Sequence, residues 1–364
     1  MDNKKTIVIF SCFYEPYMSG AELAVKEIVE RLSDRYYFII LAARISRKNK
    51  RRETRDGYEI RRIGLGAKFD KYIYPLWAPW IARTLNPKIV HAVMESYAGA
   101  ALWLYRVFGG WGKTVLTLQS GDLDMPEKQK KIAGRVWKKI HTSPHKVVAI
   151  SSALAERAKK LGAKNVSIIP NGVDFEEISK VPAAAMVPRR IVSVARLSAE
   201  KGLDDLISAL KDVKSEFPEA QLVLVGEGAE RARLEKTVVD FGLYGAVSFL
   251  GRRPHNEALA EIKKSEVFVL ASLGEGMGIV LAEAQALGVA TIATSVGGIP
   301  DVIEDGVSGL LVRPKDPAAI AAAVLKIFRD PVLREQLTGS ALQSVKKFDW
   351  SAIAEEYDKL YQSL

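Results

Sequence analysis

The chain has 364 residues, more than one ordinary hydrophobic core accommodates, so two domains are expected. With 48% hydrophobic residues it reads as a folded globular protein. Its longest uncharged stretch, 284–300, is broken by Gly288, Gly297 and Gly298 and falls short of a membrane span.

The single Cys12 excludes an intrachain disulfide, and the polar opening Met-Asp-Asn-Lys-Lys reads as no secretory signal, so a cytoplasmic protein is expected. The net charge of +10 is uneven. Residues 1–185 carry 32 Lys and Arg against 18 Asp and Glu, whereas 186–364 carry 21 against 25. An anionic partner is expected for the first half.

Taken in chain order, apolar β-rich runs at 6–10, 37–41, 88–93, 114–118 and 146–150 alternate with helical patterns such as 21–32. That alternation predicts an α/β domain with a mostly parallel sheet and binding loops at the strand carboxyl ends. Around 174–190 the pattern lapses into Ala, Pro and charge, which predicts a linker marked by Pro182 and Pro188. It restarts with strands expected at 191–195, 221–225, 247–250, 267–270 and 290–293. From 317 to 364 the spacing predicts a long amphipathic helix or a helix pair.

Several motifs carry chemistry. Glu275 and Glu283 bracket an almost uncharged segment, and Glu283 is the one charged side chain from Gly276 to Pro300. Such a carboxylate should be buried and therefore needs donors. A carboxylate at a helix mouth and another inside the helix suit a ligand bearing hydroxyls and phosphates, such as a phosphorylated sugar compound. A structural acceptor for backbone or Tyr groups is the other reading. Arg196 and Lys201, five apart at a strand-to-helix junction, could flank a pyrophosphate or form a solvated pair. Gly226 and Gly228 follow a strand, but Arg231 stands where a dinucleotide fingerprint needs its last Gly. Gly20, between the first strand and first helix, is either a turn glycine or a point of close backbone approach to a ligand. Walker A, H-E-x-x-H and Cys-cluster patterns do not occur.

In this order the pieces resemble glycosyltransferase family 4, a retaining group with the GT-B fold. The resemblance is carried by Asn86-Pro87-Lys88-Ile89-Val90-His91, Ile169-Pro170-Asn171-Gly172-Val173-Asp174 and the segment 194–202. It continues through the Glu275/Glu283 block, the run Val296 to Gly306, and Phe348-Asp349-Trp350. It implies α/β architecture with two Rossmann-like domains facing across a cleft: 1–180 on the acceptor side and 187–345 binding a nucleotide sugar. A terminal helix, 346–364, would return to the first domain.

The resemblance also implies roles. Arg196 and Lys201 would bind the diphosphate of a UDP- or GDP-sugar without a metal or other cofactor. Glu283 would accept from the ribose hydroxyls and Glu275 would meet the sugar. The backbone of Met277, Gly278 and Ile279 would lie near sugar and phosphate. Gly226 belongs to the same donor loops, Gly20 would close on the diphosphate, and backbone at Gly251, Arg252 and Arg253 would read the base. Departure of the nucleotide would accompany attack on the same face through an oxocarbenium-like state, stabilised by preorganised positive charge. Where the family often places a His after the strand at 114–118, this chain has Gln119-Ser120-Gly121-Asp122, so proton handling would fall to the donor phosphate or Asp122. His91, ending a buried strand, is expected to be structural.

The basic first half has two further features. Lys68 to Trp80 mixes aromatics with Lys, and 128–146 mixes Lys and Arg with Ile, Val and Trp. Both suit peripheral contact with an anionic membrane bearing a glycan or glycolipid acceptor, at its inner face. Against this, Pro75 and Pro79 should break the helix, and Trp77 and Trp80 could be core. A small soluble acceptor is the second enzyme reading. A nucleic-acid or polyanion binder is a third, with no groove-reading motif to support it.

Overall fold

The computed structural model describes residues 4–120 and 133–364. They form two compact units, one running to Gly172 and resuming at Trp350–Leu364, the other Val173–Asp349. Each is set out by itself.

The first unit runs β1 (Lys5–Phe10), α1 (Gly20–Leu32), β2 (Tyr36–Ala43), the hairpin β3 (Arg52–Arg55) and β4 (Tyr58–Ile63), and α2 (Asp70–Thr84). It continues through β5 (Ile89–Val93), α3 (Tyr97–Val107), β6 (Lys113–Leu118), α4 (Ala133–Thr142), β7 (Lys146–Ala149), α5 (Ser152–Lys160) and β8 (Val166–Ile168). The strands make one sheet in the order β3-β4-β2-β1-β5-β6-β7-β8, parallel except for the β3–β4 pair. Near-continuous Val, Ile and Phe in β1, β2 and β5 mark strands buried on both faces. Chain order reverses direction between β1 and β5, and Gly20 opens α1 beside that point.

The second unit runs α6 (Phe175–Ser179), β9 (Val187–Val194), α7 (Leu203–Glu216), β10 (Gln221–Val225), α8 (Arg231–Asp240), β11 (Val247–Gly251) and α9 (His255–Lys263). It continues with β12 (Ser265–Leu270), α10 (Ile279–Ala286), β13 (Ala290–Thr294), β14 (Leu310–Val312), α11 (Pro317–Arg329) and α12 (Pro331–Ser344). Its sheet, β11-β10-β9-β12-β13-β14, is parallel throughout. The direction of chain order reverses between β9 and β12, and ligands of such sheets sit at the carboxyl ends beside that reversal.

The expected linker at 174–190 is not a linker. Asp174 caps α6 by accepting from Glu177 N–H at 2.9 Å, and β9 already starts at Val187. Val173 N–H donates to Phe348 O at 2.6 Å, so both crossings between the units lie side by side at 172/173 and 349/350. The expected long helix or helix pair after 317 is three helices. Asp330 and Pro331 end α11 and start α12, and a 3-10 turn at Val345–Phe348 precedes α13 (Trp350–Gln362).

Helix α13 belongs to the first unit's core, where Trp350, Ile353, Tyr357 and Tyr361 pack with Ile7, Phe38 and Val93. His91 lies fully buried beneath it, with Nδ1 2.7 Å from Tyr361 Oη and Nε2 2.7 Å from Thr117 Oγ1. Tyr36 Oη donates to Asp358 at 2.6 Å.

Burial drives the His91 pKa down from 6.5 to about 3, because the apolar surroundings disfavour the imidazolium. A folded-state pKa below the unfolded one means that unfolding takes up a proton. The unit should therefore be fully stable above pH 6.5 and lose stability as pH falls from there towards 3. Urea unfolding of wild type and His91→Gln across this range checks it. The variant should show a shallower pH slope, and equal slopes would remove His91 as the cause.

Candidate donor site

The loops after β9, β10, β11 and β12 meet at the carboxyl end of the second sheet. They approach closely because glycines line the contact. Gly226 has φ +140°, and a Cβ there would lie 1.9 Å from Ala195 O; at Gly202, φ +58°, it would lie 2.1 Å from Ala271 O. No side chain fits either position. Leu273 N–H donates to Glu200 O at 2.8 Å, joining the loop after β12 to the one after β9.

Across this contact Lys201 Nζ donates to Glu275 Oε2 at 2.6 Å, with both side chains mostly buried (18% and 17% exposed). The pair spans the reversal between β9 and β12. Ser272 Oγ also donates to Glu275 Oε2, at 3.2 Å. Seventy-four residues separate Lys201 from Glu275, so only the parallel topology brings them together. Arg196 is placed differently. Its side chain is 69% exposed and donates to Glu200 Oε1 at 2.6 Å.

After Glu275 the chain turns through buried Met277 and Gly278 into α10. Gly278 occupies the N-cap with φ +80°, the left-handed region, and Ile279 begins the helix. The backbone of Met277, Gly278 and Ile279 therefore sits at a helix N-terminus, where the helix dipole favours an anion.

Glu283, expected to be buried, is partly accessible at 13% exposure, and its partner is a side chain that the sequence reading missed. His255 opens α9, with Nε2 3.0 Å from Glu283 Oε1 and Nδ1 3.0 Å from Glu177 Oε1. The imidazole bridges carboxylates from α6 and α10. Hydrogen bonding to Glu283, together with the charges of both carboxylates, raises its pKa from 6.5 to about 9 against a smaller desolvation effect. A cation at a helix N-terminus is disfavoured by the helix dipole, so the two carboxylates must outweigh that term. One signal could have found His255: the chain has only four His, and this one follows Pro254 at a strand-to-helix junction.

Gly251 ends β11 with φ +71°, and Arg252 and Arg253 beyond it are exposed. Gly226 N–H donates to Gly251 O at 2.9 Å, so these loops form one surface. Among the described residues, no group of three or more His, Cys, Asp and Glu stands together as a metal site.

In the first unit, a Cβ at Gly20 would meet nothing within 4 Å, so neighbouring atoms do not require glycine there. Gln119 follows β6 and exchanges two amide hydrogen bonds with Asn171. Its Nε2 donates at 3.0 Å and its Oε1 accepts at 2.8 Å, while its backbone N–H donates to the buried Glu95 at 3.2 Å. Gln119 is thus a fixed polar group rather than a free one. Asp122 and the basic residues 128–131 lie outside the described residues.

Residues 174–343 match the family model for glycosyl transferases group 1, and residues 18–177 match that for glycosyltransferase family 4. A phosphatidyl-myo-inositol mannosyltransferase of Mycobacterium leprae is 33% identical over 224 residues, or 60% of this chain and 59% of that protein. The chain thus matches about three fifths of the length of that curated relative. Among solved structures, sucrose-phosphate synthase from Thermosynechococcus elongatus covers 99% of both chains with a TM-score of 0.85 and 22% identity. Anabaena HepE in complex with UDP-glucose covers 99% of this chain and 100% of its own, with a TM-score of 0.76 and 21% identity. These likenesses establish the fold. With two family models spanning 18–343 between them and the GT-B architecture throughout, the chain belongs to glycosyltransferase family 4.

Proposed function

We propose that the protein is a retaining, metal-independent glycosyltransferase that moves a hexose from a UDP- or GDP-sugar to a cell-surface glycan or lipid-linked acceptor. The observation that carries this reading is the Lys201–Glu275 pair at 2.6 Å, set at the strand-order reversal of a parallel sheet. A cation for the departing diphosphate and a carboxylate for sugar hydroxyls stand there within one hydrogen bond.

Each remaining group has a part in this scheme. The Ile279 end of α10 receives phosphate, and Arg196 swings from Glu200 onto the diphosphate when donor binds. Glu283, oriented by His255, accepts from the ribose. Backbone at Gly226 and Gly251–Arg253 adjoins the nucleoside. Charge developing on the leaving diphosphate is met by Lys201, already oriented before reaction, and by Arg196 once it has left Glu200; preoriented charge is where such sites gain most of their rate. The basic first unit takes the acceptor side, at the inner face of a membrane.

Thermal-shift measurements with UDP, GDP, ADP and their sugar conjugates test the reading. One base family should raise the melting temperature by mass action, and Arg196→Ala and Glu283→Ala should each lose most of that rise. No shift with any nucleotide would end it.

A further inference from the structure

The hairpin β3–β4 and the segment leading into it, 47–62, hold eight Lys and Arg against three Asp and Glu. Between the hairpin and α2 lies an open cavity of about 380 Å³ lined by Arg51, Arg52, Arg61 and Arg62 on one side and by Trp77 and Ile81 on the other.

The available carboxylates are already engaged. Glu59, almost fully buried, accepts from Arg52 Nη2 at 2.9 Å and from Arg61 Nε at 2.5 Å. Burial pushes its pKa up, but the two guanidinium groups hold it below the usual carboxylate value. Arg62 is paired with Glu53, and its two terminal nitrogens also donate to Lys50 O at 3.1 Å and Glu15 O at 2.8 Å. Two features are left over. Arg62 Nε is buried without a hydrogen-bond partner, and Arg51 is exposed and, among the described residues, forms no ion pair. Four guanidinium groups against two carboxylates leave a surplus of positive charge, in the planar fork geometry that suits a phosphate.

The other wall is apolar and continues outwards. Pro75 and Pro79 do not break α2, which runs unbroken from Asp70 to Thr84, with Tyr74 and Ala78 fully buried. The face away from the core is aromatic. Leu65, Phe69, Tyr72, Leu76, Trp77 and Trp80 are each 44–62% exposed, so Trp77 and Trp80 are not core residues. Lys71 Nζ stands 4.9 Å from the Tyr72 ring centroid and Arg83 Cζ 5.7 Å from that of Trp80. Exposed apolar area of this extent, edged by cations, marks an interaction surface. Trp77 belongs to both the ridge and the arginine cavity.

From this juxtaposition we infer that the first unit binds a phosphate-bearing lipid in a membrane surface, with phosphate in the arginine cavity and the Phe69–Trp80 ridge resting at the headgroup boundary. Charge complementarity selects the occupant: the cavity calls for an anion, and the ridge calls for an apolar body attached to it. The inference deepens the acceptor half of the proposed function and does not depend on the donor half.

The test is flotation of the full chain, without nucleotide, on vesicles of phosphatidylcholine alone or mixed with phosphatidylglycerol. Arg51→Glu and Trp77→Gln serve as variants. Among the described residues Arg51 has no ion pair to lose, and Trp77 is exposed, so melting temperatures near wild type are expected for both. Binding should require phosphatidylglycerol, weaken as salt rises, and fall by roughly ten-fold in each variant. Equal binding to both vesicle types, or unchanged binding of Arg51→Glu, would overturn the inference. So would a melting shift with glycerol 3-phosphate, lost in Arg51→Glu, in a protein that ignores vesicles, because the cavity would then take free phosphate esters. The melting shift with nucleotide, measured on the same variants, should be unchanged. Failure on vesicles therefore leaves the donor reading standing, and failure with nucleotides leaves the lipid reading standing.

Discussion

Lys201→Ala should lower kcat/KM for sugar transfer by about 10²–10³-fold, the loss expected when one preorganised charge is removed from a developing anion. Lys201 is mostly buried and fixed against Glu275 and so requires little reorganisation when the diphosphate departs. Arg196→Ala should cost about ten-fold less, since an exposed guanidinium must first leave Glu200 and order itself. Lys201→Arg should rescue little, because a planar fork cannot occupy the place of a point charge held at 2.6 Å from one carboxylate oxygen. Initial-rate measurements on the three variants decide the matter. If Lys201→Ala keeps wild-type kcat/KM, the assignment of leaving-group stabilisation to this residue is wrong.

The second large effect concerns Glu283 and the imidazole beside it. With a folded-state pKa of about 9 against 6.5 for an unconstrained His, His255 is a cation in the folded protein at neutral pH. A raised folded pKa stabilises the protein fully below pH 6.5, and that contribution is lost as pH rises through 9. This is opposite in sign to the His91 effect in the other unit. Glu283→Gln should bring the His255 titration down by at least about one unit, since its strongest bonding partner is then neutral. Nucleotide affinity should fall with it. NMR titration is practical because only four imidazoles need assignment. Should His255 titrate near 6.5 in both proteins, the clamp between Glu177 and Glu283 does not hold in solution.

Much of this architecture could be read from the chain. Strands such as β10 and β12 are β-branched, apolar runs between polar turns, and a parallel sheet buried on both faces requires that composition. The β3–β4 hairpin could not be read that way, because Arg-Glu-Thr-Arg has no apolar residue and Tyr-Glu-Ile-Arg-Arg-Ile intersperses core residues with arginines paired to Glu59 and Glu53. Helix α2 was obscured by two prolines, whose local cost is outweighed by burial of Tyr74, Ala78 and Ala82. Within the candidate site, Glu275, Glu283 and Lys201 announce themselves by their apolar or loop contexts. The partnership of Lys201 with Glu275, and the presence of His255 at all, depend on which strands become neighbours. That information resides in the sheet order and in no short window of sequence.

The position of α13 also bears on how the molecule is made. A ribosome releases β1 to β8 early, then must deliver all 177 residues of Val173–Asp349 before Trp350 emerges. At ~5–20 residues per second that interval lasts roughly 9–35 s. Throughout it all eight strands of the first sheet have been made, but the helix whose Trp350, Tyr357 and Tyr361 cover His91 and Thr117 is missing. The second unit, contiguous in the chain, can finish folding while the first still waits for its last helix. The N-terminal half is therefore the later of the two to close, and it is the half that newborn chains must shield from aggregation.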